Sequence, residues 1–133
     1  MIATAGVSCQ SKTEAGINPP KLDSSVARNV SDQYAHGKNI FKKYCNDCHF
    51  SPERIVFDQY TFDKLFDRLP TPAEDYLVRY LKNSKELKLS GDKYALQLDE
   101  IWESNYEHSF EDTLNQKDFL DLINYIKTAV EQR

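Results

Sequence analysis

Apolar residues along the chain recur three or four positions apart, which is the spacing of one face of an α-helix. The strict alternation of apolar and polar residues that is typical of strands is absent. The first helix is predicted to begin near Ser31-Asp32 and to run into Cys45. The last is predicted to begin near Asn115, with an apolar face formed by Phe119, Leu122, Ile123, Ile126 and Val130. The pattern therefore predicts an all-α fold.

Further helices are predicted between these two. A short one covers residues 62–69, with Thr61 as its N-cap. The segment Thr71-Pro72-Ala73-Glu74 has the residues of a capping box, with proline at the first helical position. Ser90-Gly91-Asp92 interrupts the chain, and another apolar stripe runs from Tyr94 to Trp102. About five helices are expected in all.

The first thirty residues differ from the rest of the chain. They are polar, contain two adjacent prolines and show no periodicity, so we predict a flexible N-terminal segment, 1–30, and one domain, 31–133. Ile2 to Cys9 resembles the end of a bacterial lipoprotein signal, in which Cys9 carries lipid and the following residues form a tether. The alternative is an ordinary free cysteine in a frayed terminus. No stretch approaches the ~20 apolar residues that a membrane-spanning helix needs.

Composition limits the classes of protein that remain. The chain has 133 residues, 40% of them hydrophobic, and is rich in tyrosine and phenylalanine, which argues against wholesale disorder. Seventeen basic and 21 acidic residues give a net charge of −4, and no basic block indicates a nucleic-acid surface. A nucleic-acid partner is therefore not expected.

The candidate chemistry lies in Cys45-Asn46-Asp47-Cys48-His49. Two thiols on one helical turn can reach the two vinyl groups of a haem, and the histidine that follows can bind its iron; this spacing is typical of c-type haem attachment. Cys-x-x-Cys also occurs in thioredoxin-like redox sites and as half of a zinc site. A strand–helix unit for the former and a second ligand pair for the latter are not evident, and a disulfide across two residues would be strained.

The residues around this motif resemble the class I cytochrome c family. Gly37 to His49 has the family's glycine, an aromatic residue four positions later and then the cysteine–histidine motif; Leu114 to Lys127 is similar to its C-terminal helix. The resemblance covers about thirty residues. It implies a cytochrome c fold in which the N- and C-terminal helices cross, with Gly37 and Phe41 near Tyr125, around one covalently bound haem c. The implied thioether residues are Cys45 and Cys48, the implied proximal iron ligand is His49, and the expected pocket residues are Phe41, Tyr44, Trp102 and Tyr125.

The family's usual second iron ligand, a methionine before the last helix, has no counterpart here. The chain's one methionine is Met1, whereas His108 stands at the matching position. Imidazole is a good iron ligand, so the resemblance favours ligation by His49 and His108. The alternative is that His108 is a surface residue and that the iron is five-coordinate or binds water. His36 is a weaker candidate, since on a helix it lies about 13 Å from Cys45 along the axis.

Function follows from these expectations. A haem with both axial positions filled favours an electron carrier without catalytic activity of its own, which docks with redox partners such as a reductase or an oxidase. A lipidated Cys9 would place it on a membrane in the bacterial periplasm or at the outer membrane. The alternative is a haem-based sensor or ligand-binding domain in which His108 dissociates; a peroxidase is weaker, because no distal acid or base is evident.

Overall fold

The described part of the chain is entirely helical. A computed structural model describes residues 24–56, 61–102 and 106–133. Within these ranges six helices form and no strand does, which confirms the all-α prediction for this part of the chain. The helices are α1 (Ser24–Tyr44), α2 (Leu65–Arg68), α3 (Ala73–Lys82), α4 (Ser84–Leu89), α5 (Lys93–Trp102) and α6 (Gln116–Glu131).

The start of α1 differs from the prediction. The helix begins at Ser24, well before Ser31-Asp32, and ends at Tyr44, immediately before Cys45. No glycine or proline separates Ser24 from Ser31, so nothing in the chain stops the helix from extending towards its N-terminus. The predicted flexible segment is therefore helical over its last seven residues, 24–30. Cys9 and its predicted lipid lie outside the described residues.

Helix ends were predicted with mixed success. Asn115 accepts a hydrogen bond from the Asp118 N–H and the Asp118 carboxylate accepts one from the Asn115 N–H, a complete capping box for α6. The capping box at Thr71 is wrong, because α3 begins one residue later and Pro72, which has no side chain to cap with, is its N-cap. Thr61 is not a cap either: the residue before α2 is Lys64, in a left-handed conformation with φ 47°.

Helix α4 was not predicted. Asn83 separates it from α3, and the Asn83 side chain accepts a hydrogen bond from the N–H of Glu86 in the first turn of α4. The turn at 90–92 then leads into α5, as expected from its sequence, and the Asp92 carboxylate accepts bonds from the Ala95 N–H and the buried Tyr76 hydroxyl. One carboxylate thus joins α3 to the start of α5.

Helices α1 and α6 pack against each other at Gly37. A Cβ at this position would overlap the backbone carbonyl of Asp121 and lie 2.8 Å from the Tyr125 Cβ. One turn later the rings of Phe41 and Tyr125 meet edge to face with centroids 5.7 Å apart, so the contact that the resemblance implied is present. Buried residues of α6 and α3 complete the core, among them Phe119, Leu122, Ile126, Tyr76 and Leu77.

Candidate haem site

A cavity of about 490 Å³ opens between the C-terminal end of α1 and helices α2, α3, α5 and α6. This volume lies within the usual range of small-molecule and cofactor sites. Most of the side chains that surround it are apolar or aromatic. They include Phe41, Phe62, Leu65, Leu69, Leu77, Tyr80, Leu81, Tyr94, Leu98, Trp102, Leu122 and Ile126.

The cysteine–histidine motif forms one edge of this cavity. Helical hydrogen bonding continues for one turn past α1, because the Cys45 N–H donates to the Phe41 carbonyl oxygen (2.8 Å) and the His49 N–H donates to that of Cys45 (2.9 Å). The turn brings Cys45, Cys48 and His49 to the same wall, and both cysteines are free thiols. The cysteines and the histidine therefore lie on one helical turn, as their spacing in the sequence predicted.

The electrostatics of Cys45 differ from those of a reactive redox thiol. Burial raises the pKa of Cys45 to about 11, with a smaller contribution from the neighbouring Cys48. Thioredoxin-like sites need a cysteine whose pKa is lowered, so that the thiolate is available near neutral pH. The environment of Cys45 is thus opposite to the one that such a site requires.

The rings of His49 and His108 both border the cavity. Their ring centroids are 6.3 Å apart and their planes differ by 14°. A metal–imidazole nitrogen bond is about 2.0–2.1 Å long, so two imidazoles on opposite sides of one metal ion have centroids about 6–6.5 Å apart. The two rings therefore stand at the separation that one shared iron requires.

Both imidazoles are held in the neutral form that a metal ligand needs. Burial lowers the pKa of His49. Burial, together with smaller contributions from the nearby His49 and Lys88, lowers the pKa of His108 to about 4. Near pH 7 each ring consequently keeps a nitrogen lone pair for coordination.

Residues 106–113, the His108 loop, are fixed to the junction of α3 and α4. The His108 N–H donates to the Ser84 hydroxyl oxygen (2.8 Å), and the Ser84 N–H donates to the His108 carbonyl oxygen (2.9 Å). The His108 ring packs against Tyr80 and Tyr106, with centroids 5.2 and 5.0 Å away. Its Nδ1 is buried and has no hydrogen-bond partner among the described residues.

The expected pocket residues divide into two pairs. Phe41 and Trp102 line the cavity, the latter about half exposed at its mouth. Tyr44 and Tyr125 do not line it, which corrects the expectation. Tyr44 packs on Phe110 instead, and the ring of Tyr125 lies behind Phe41, with its hydroxyl 3.1 Å from the Ser51 hydroxyl.

Several cavity residues were missed by the sequence reading. Phe62 contacts both Phe41 and His49 edge to face, with centroids 5.7 Å apart in each case. Asp99 lies at the cavity and pairs with Lys88 at 2.7 Å. Phe62 was predicted to lie on a helical face, but no motif marks it as a cavity residue. The ion pair of Lys88 in α4 with Asp99 in α5 has no local sequence signal either.

His36 lies away from the cavity, between α1 and α6. Its Nδ1 is 2.7 Å from an oxygen of the buried Asp121 carboxylate. Lys117 donates to the same oxygen, and together they hold the pKa of Asp121 below its ordinary value even though burial raises it. The low weight given to His36 as an iron ligand agrees with this position.

Comparison of the chain with protein-family models, curated proteins and solved structures found no match. Within the described ranges, no three His, Cys, Asp or Glu side chains are grouped so that they could hold a metal ion by themselves. In that same part of the chain, no helix is both long and apolar enough to cross a membrane.

Proposed function

We propose that this chain is a mono-haem c-type cytochrome that carries electrons, with its iron ligated by His49 and His108. The observation that carries the proposal is the nearly parallel pair of neutral imidazoles at 6.3 Å, beside two free cysteines on one turn. The donor set fits the group: two thiols for the vinyl groups, two imidazole nitrogens for the iron, and an apolar cavity for the ring. In this proposal the fold is that of the class I cytochromes c.

Each residue of the site has a role in this proposal. When bound, the haem supplies an iron couple that accepts and releases one electron. Cys45 and Cys48 would hold the haem through thioether bonds, and His49 and His108 would ligate its iron. The apolar side chains exclude water, which lets the axial ligands and the surroundings of the ring set the potential. Arg68 also lies at the cavity, and its side chain donates to the carbonyl oxygens of Asp63 and Thr61.

An electron carrier fits this arrangement better than a sensor does. A sensor needs an iron position that exogenous ligands can enter, whereas the His108 loop is hydrogen-bonded to α3 and α4 through His108, Phe110 and Glu111. Redox partners such as a reductase or an oxidase, the absence of catalytic activity and a lipid-anchored location in a bacterial periplasm remain predictions that accompany this proposal.

Low-temperature electron paramagnetic resonance of the oxidised protein tests the ligation. We expect a low-spin signal typical of two imidazoles, and a His108→Ala variant should become high-spin because one ligand is lost. The matched control is His36→Ala, which should keep the low-spin signal. High-spin iron in the unmodified protein, or an unchanged signal in His108→Ala, would contradict the proposal.

The covalent link is tested separately. Mass spectrometry of the denatured protein should find one haem attached to the chain. We expect the double variant Cys45→Ala, Cys48→Ala to lose the haem on denaturation, whereas His108→Ala retains it. Loss from the unmodified protein would exclude a c-type attachment.

A further inference from the structure

Ser84, the first residue of α4, is fully buried, although serine is mostly exposed in folded proteins. It contacts His108 through two hydrogen bonds, one accepted by its hydroxyl and one donated by its backbone N–H. Both backbone polar groups of His108 are therefore satisfied by a single buried residue from a distant part of the sequence. Such a pair of bonds fixes the His108 backbone itself, and not only the direction of its side chain.

The pairing continues along the His108 loop. The Phe110 N–H donates to the Leu81 carbonyl oxygen and the Glu111 N–H to that of Lys82, both at 3.2 Å. The bond of Glu111 lies at an exposed residue, whereas that of Phe110 joins a half-buried residue to the buried Leu81. The bonds of Ser84 are the ones nearest to the imidazole, and they lie in the interior, where a lost partner cannot be replaced by water.

From these contacts we infer that Ser84 is a positioning residue, which keeps His108 on the iron and so limits the access of exogenous ligands. The inference rests on the function proposed above. His49 follows Cys48 directly, so the thioethers keep it near the iron whatever the rest of the chain does. His108 reaches the site across about sixty residues of chain, and its presence there depends on the bonds that hold its loop. Ser84 therefore sets how often His108 leaves.

Ser84→Ala tests this role directly. The variant leaves the His108 N–H buried without its acceptor while the imidazole is bound, whereas the detached loop can expose that N–H to water. We expect reduced Ser84→Ala holoprotein to bind carbon monoxide about tenfold faster than the unmodified protein, which corresponds to 1.4 kcal/mol. The oxidised variant should also show a new high-spin fraction in its absorption spectrum.

Two further variants separate a positioning role from a general loss of stability. Ser109→Ala removes the same hydroxyl from the exposed residue next to His108 and should bind carbon monoxide at the unmodified rate. Ser84→Thr retains the hydroxyl acceptor and should restore most of the slow binding. An Ser84→Ala protein that unfolds more easily but keeps the unmodified binding rate and low-spin spectrum overturns the inference.

The unmodified protein offers a second test, which holds even if Ser84→Ala does not fold. Hydrogen exchange at the His108 amide should be slow in the reduced protein and faster after saturation with carbon monoxide, because displacement of the imidazole releases the loop. Equal exchange in both states overturns the inference and leaves the proposed function intact. A high-spin unmodified protein would instead overturn the proposed function, so the two failures are distinct.

Discussion

His49 and His108 reach the same cavity by different means. His49 is placed by the turn that directly follows α1, so its position is set by residues within five positions of it. His108 is placed by hydrogen bonds to Ser84, 24 positions away, and by the rings of Tyr80 and Tyr106. In the proposed holoprotein, changes at His108 are therefore expected to alter the ligation of the iron without detaching the haem.

Replacement of His108 by methionine should raise the reduction potential. A thioether stabilises reduced iron more than an imidazole does, and axial ligands move haem potentials over a range of about 0.8 V. We expect His108→Met to have a potential higher by on the order of 100 mV, measured by redox titration of the holoprotein. His36→Met is the matched control and should leave the potential unchanged; an equal or lower potential in His108→Met would contradict bis-histidine ligation.

The sequence predicted individual residues best where the signal was local. Cys45, Cys48 and His49 are adjacent, and one helical turn is enough to bring them to the same wall. Tyr44 and Tyr125 were misplaced because the family resemblance puts both residues near the haem motif and Phe41, but does not say whether each ring packs in the core or in the cavity. Ser84 carried no signal at all, since a buried serine is recognised only from its long-range partner.

At the scale of the helices, the contact between α1 and α6 depends on the missing side chain of Gly37. A glycine inside an exposed helix ordinarily costs about 0.5–1 kcal/mol relative to alanine. Here the added methyl would overlap the Asp121 carbonyl group, which belongs to the backbone and cannot rotate away. The close approach of the two backbones therefore makes glycine more favourable than alanine at position 37, although alanine is the better helix former.

We expect Gly37→Ala to lower the free energy of unfolding by about 3 kcal/mol, because two backbones must separate. Urea denaturation of the protein, monitored by circular dichroism, measures the change. Asn39→Ala, on the exposed side of the same helix, should stay within about 0.5 kcal/mol of the unmodified protein. A Gly37→Ala protein as stable as the Asn39→Ala control would refute the close contact.

The last helix was predictable because a long apolar stripe at helical spacing follows its capped start. The capping box at Asn115 and Asp118 fixed the start of α6, and the periodicity behind it fixed the buried face. The boundary between α3 and α4 escaped because Asn83 stands in a run without glycine or proline, the residues that usually mark a break. The left-handed conformation of Lys64, just before α2, could not be predicted either, since lysine has no preference for that conformation.

At the scale of the whole molecule, Asp121 couples the fold to pH. Its side chain is buried at the α1–α6 contact, where His36 of α1 and Lys117 of α6 contact the same carboxylate oxygen. The other ring nitrogen of His36, Nε2, lies 3.6 Å from a carboxylate oxygen of Asp118. The pKa of Asp121 is raised by burial and lowered by these hydrogen bonds, with a net value below the ordinary 3.8. The folded state therefore favours the charged carboxylate.

The stability that Asp121 contributes is fully present above its ordinary pKa of 3.8 and is lost as the pH falls through the lower folded value. We expect Asp121→Asn to be less stable by about 1–2 kcal/mol at pH 7 and to lose less stability than the unmodified protein between pH 4 and pH 2. Urea denaturation at several pH values measures both effects.

Asp112→Asn is the control for this comparison, because Asp112 is exposed and lies in the turn before α6. Protonation of His49 and His108 affects all three proteins alike and cancels from their differences. Identical pH profiles for Asp121→Asn and Asp112→Asn would show that the buried carboxylate does not stabilise the fold.

The tertiary arrangement was predictable at its two ends and not between them. Gly37, Phe41 and the face of α6 specify their own contact, since each lies in a long periodic helix. The other walls of the cavity come from α2, α3 and α5, shorter helices whose directions depend on turns without a sequence signature. The pairing of Lys88 with Asp99 and of Ser84 with His108 therefore became visible only in three dimensions.

The apposition of His49 and His108 has a consequence for the polymer physics of the chain. In the proposed holoprotein, two imidazoles joined through one iron close a loop of about sixty residues, which acts as a reversible crosslink. The loop-closure entropy of a crosslink of this length is worth about 4 kcal/mol against the unfolded chain. A ligand that displaces His108 would therefore do more than occupy a coordination position: it would return that entropy to the unfolded state and weaken the whole domain.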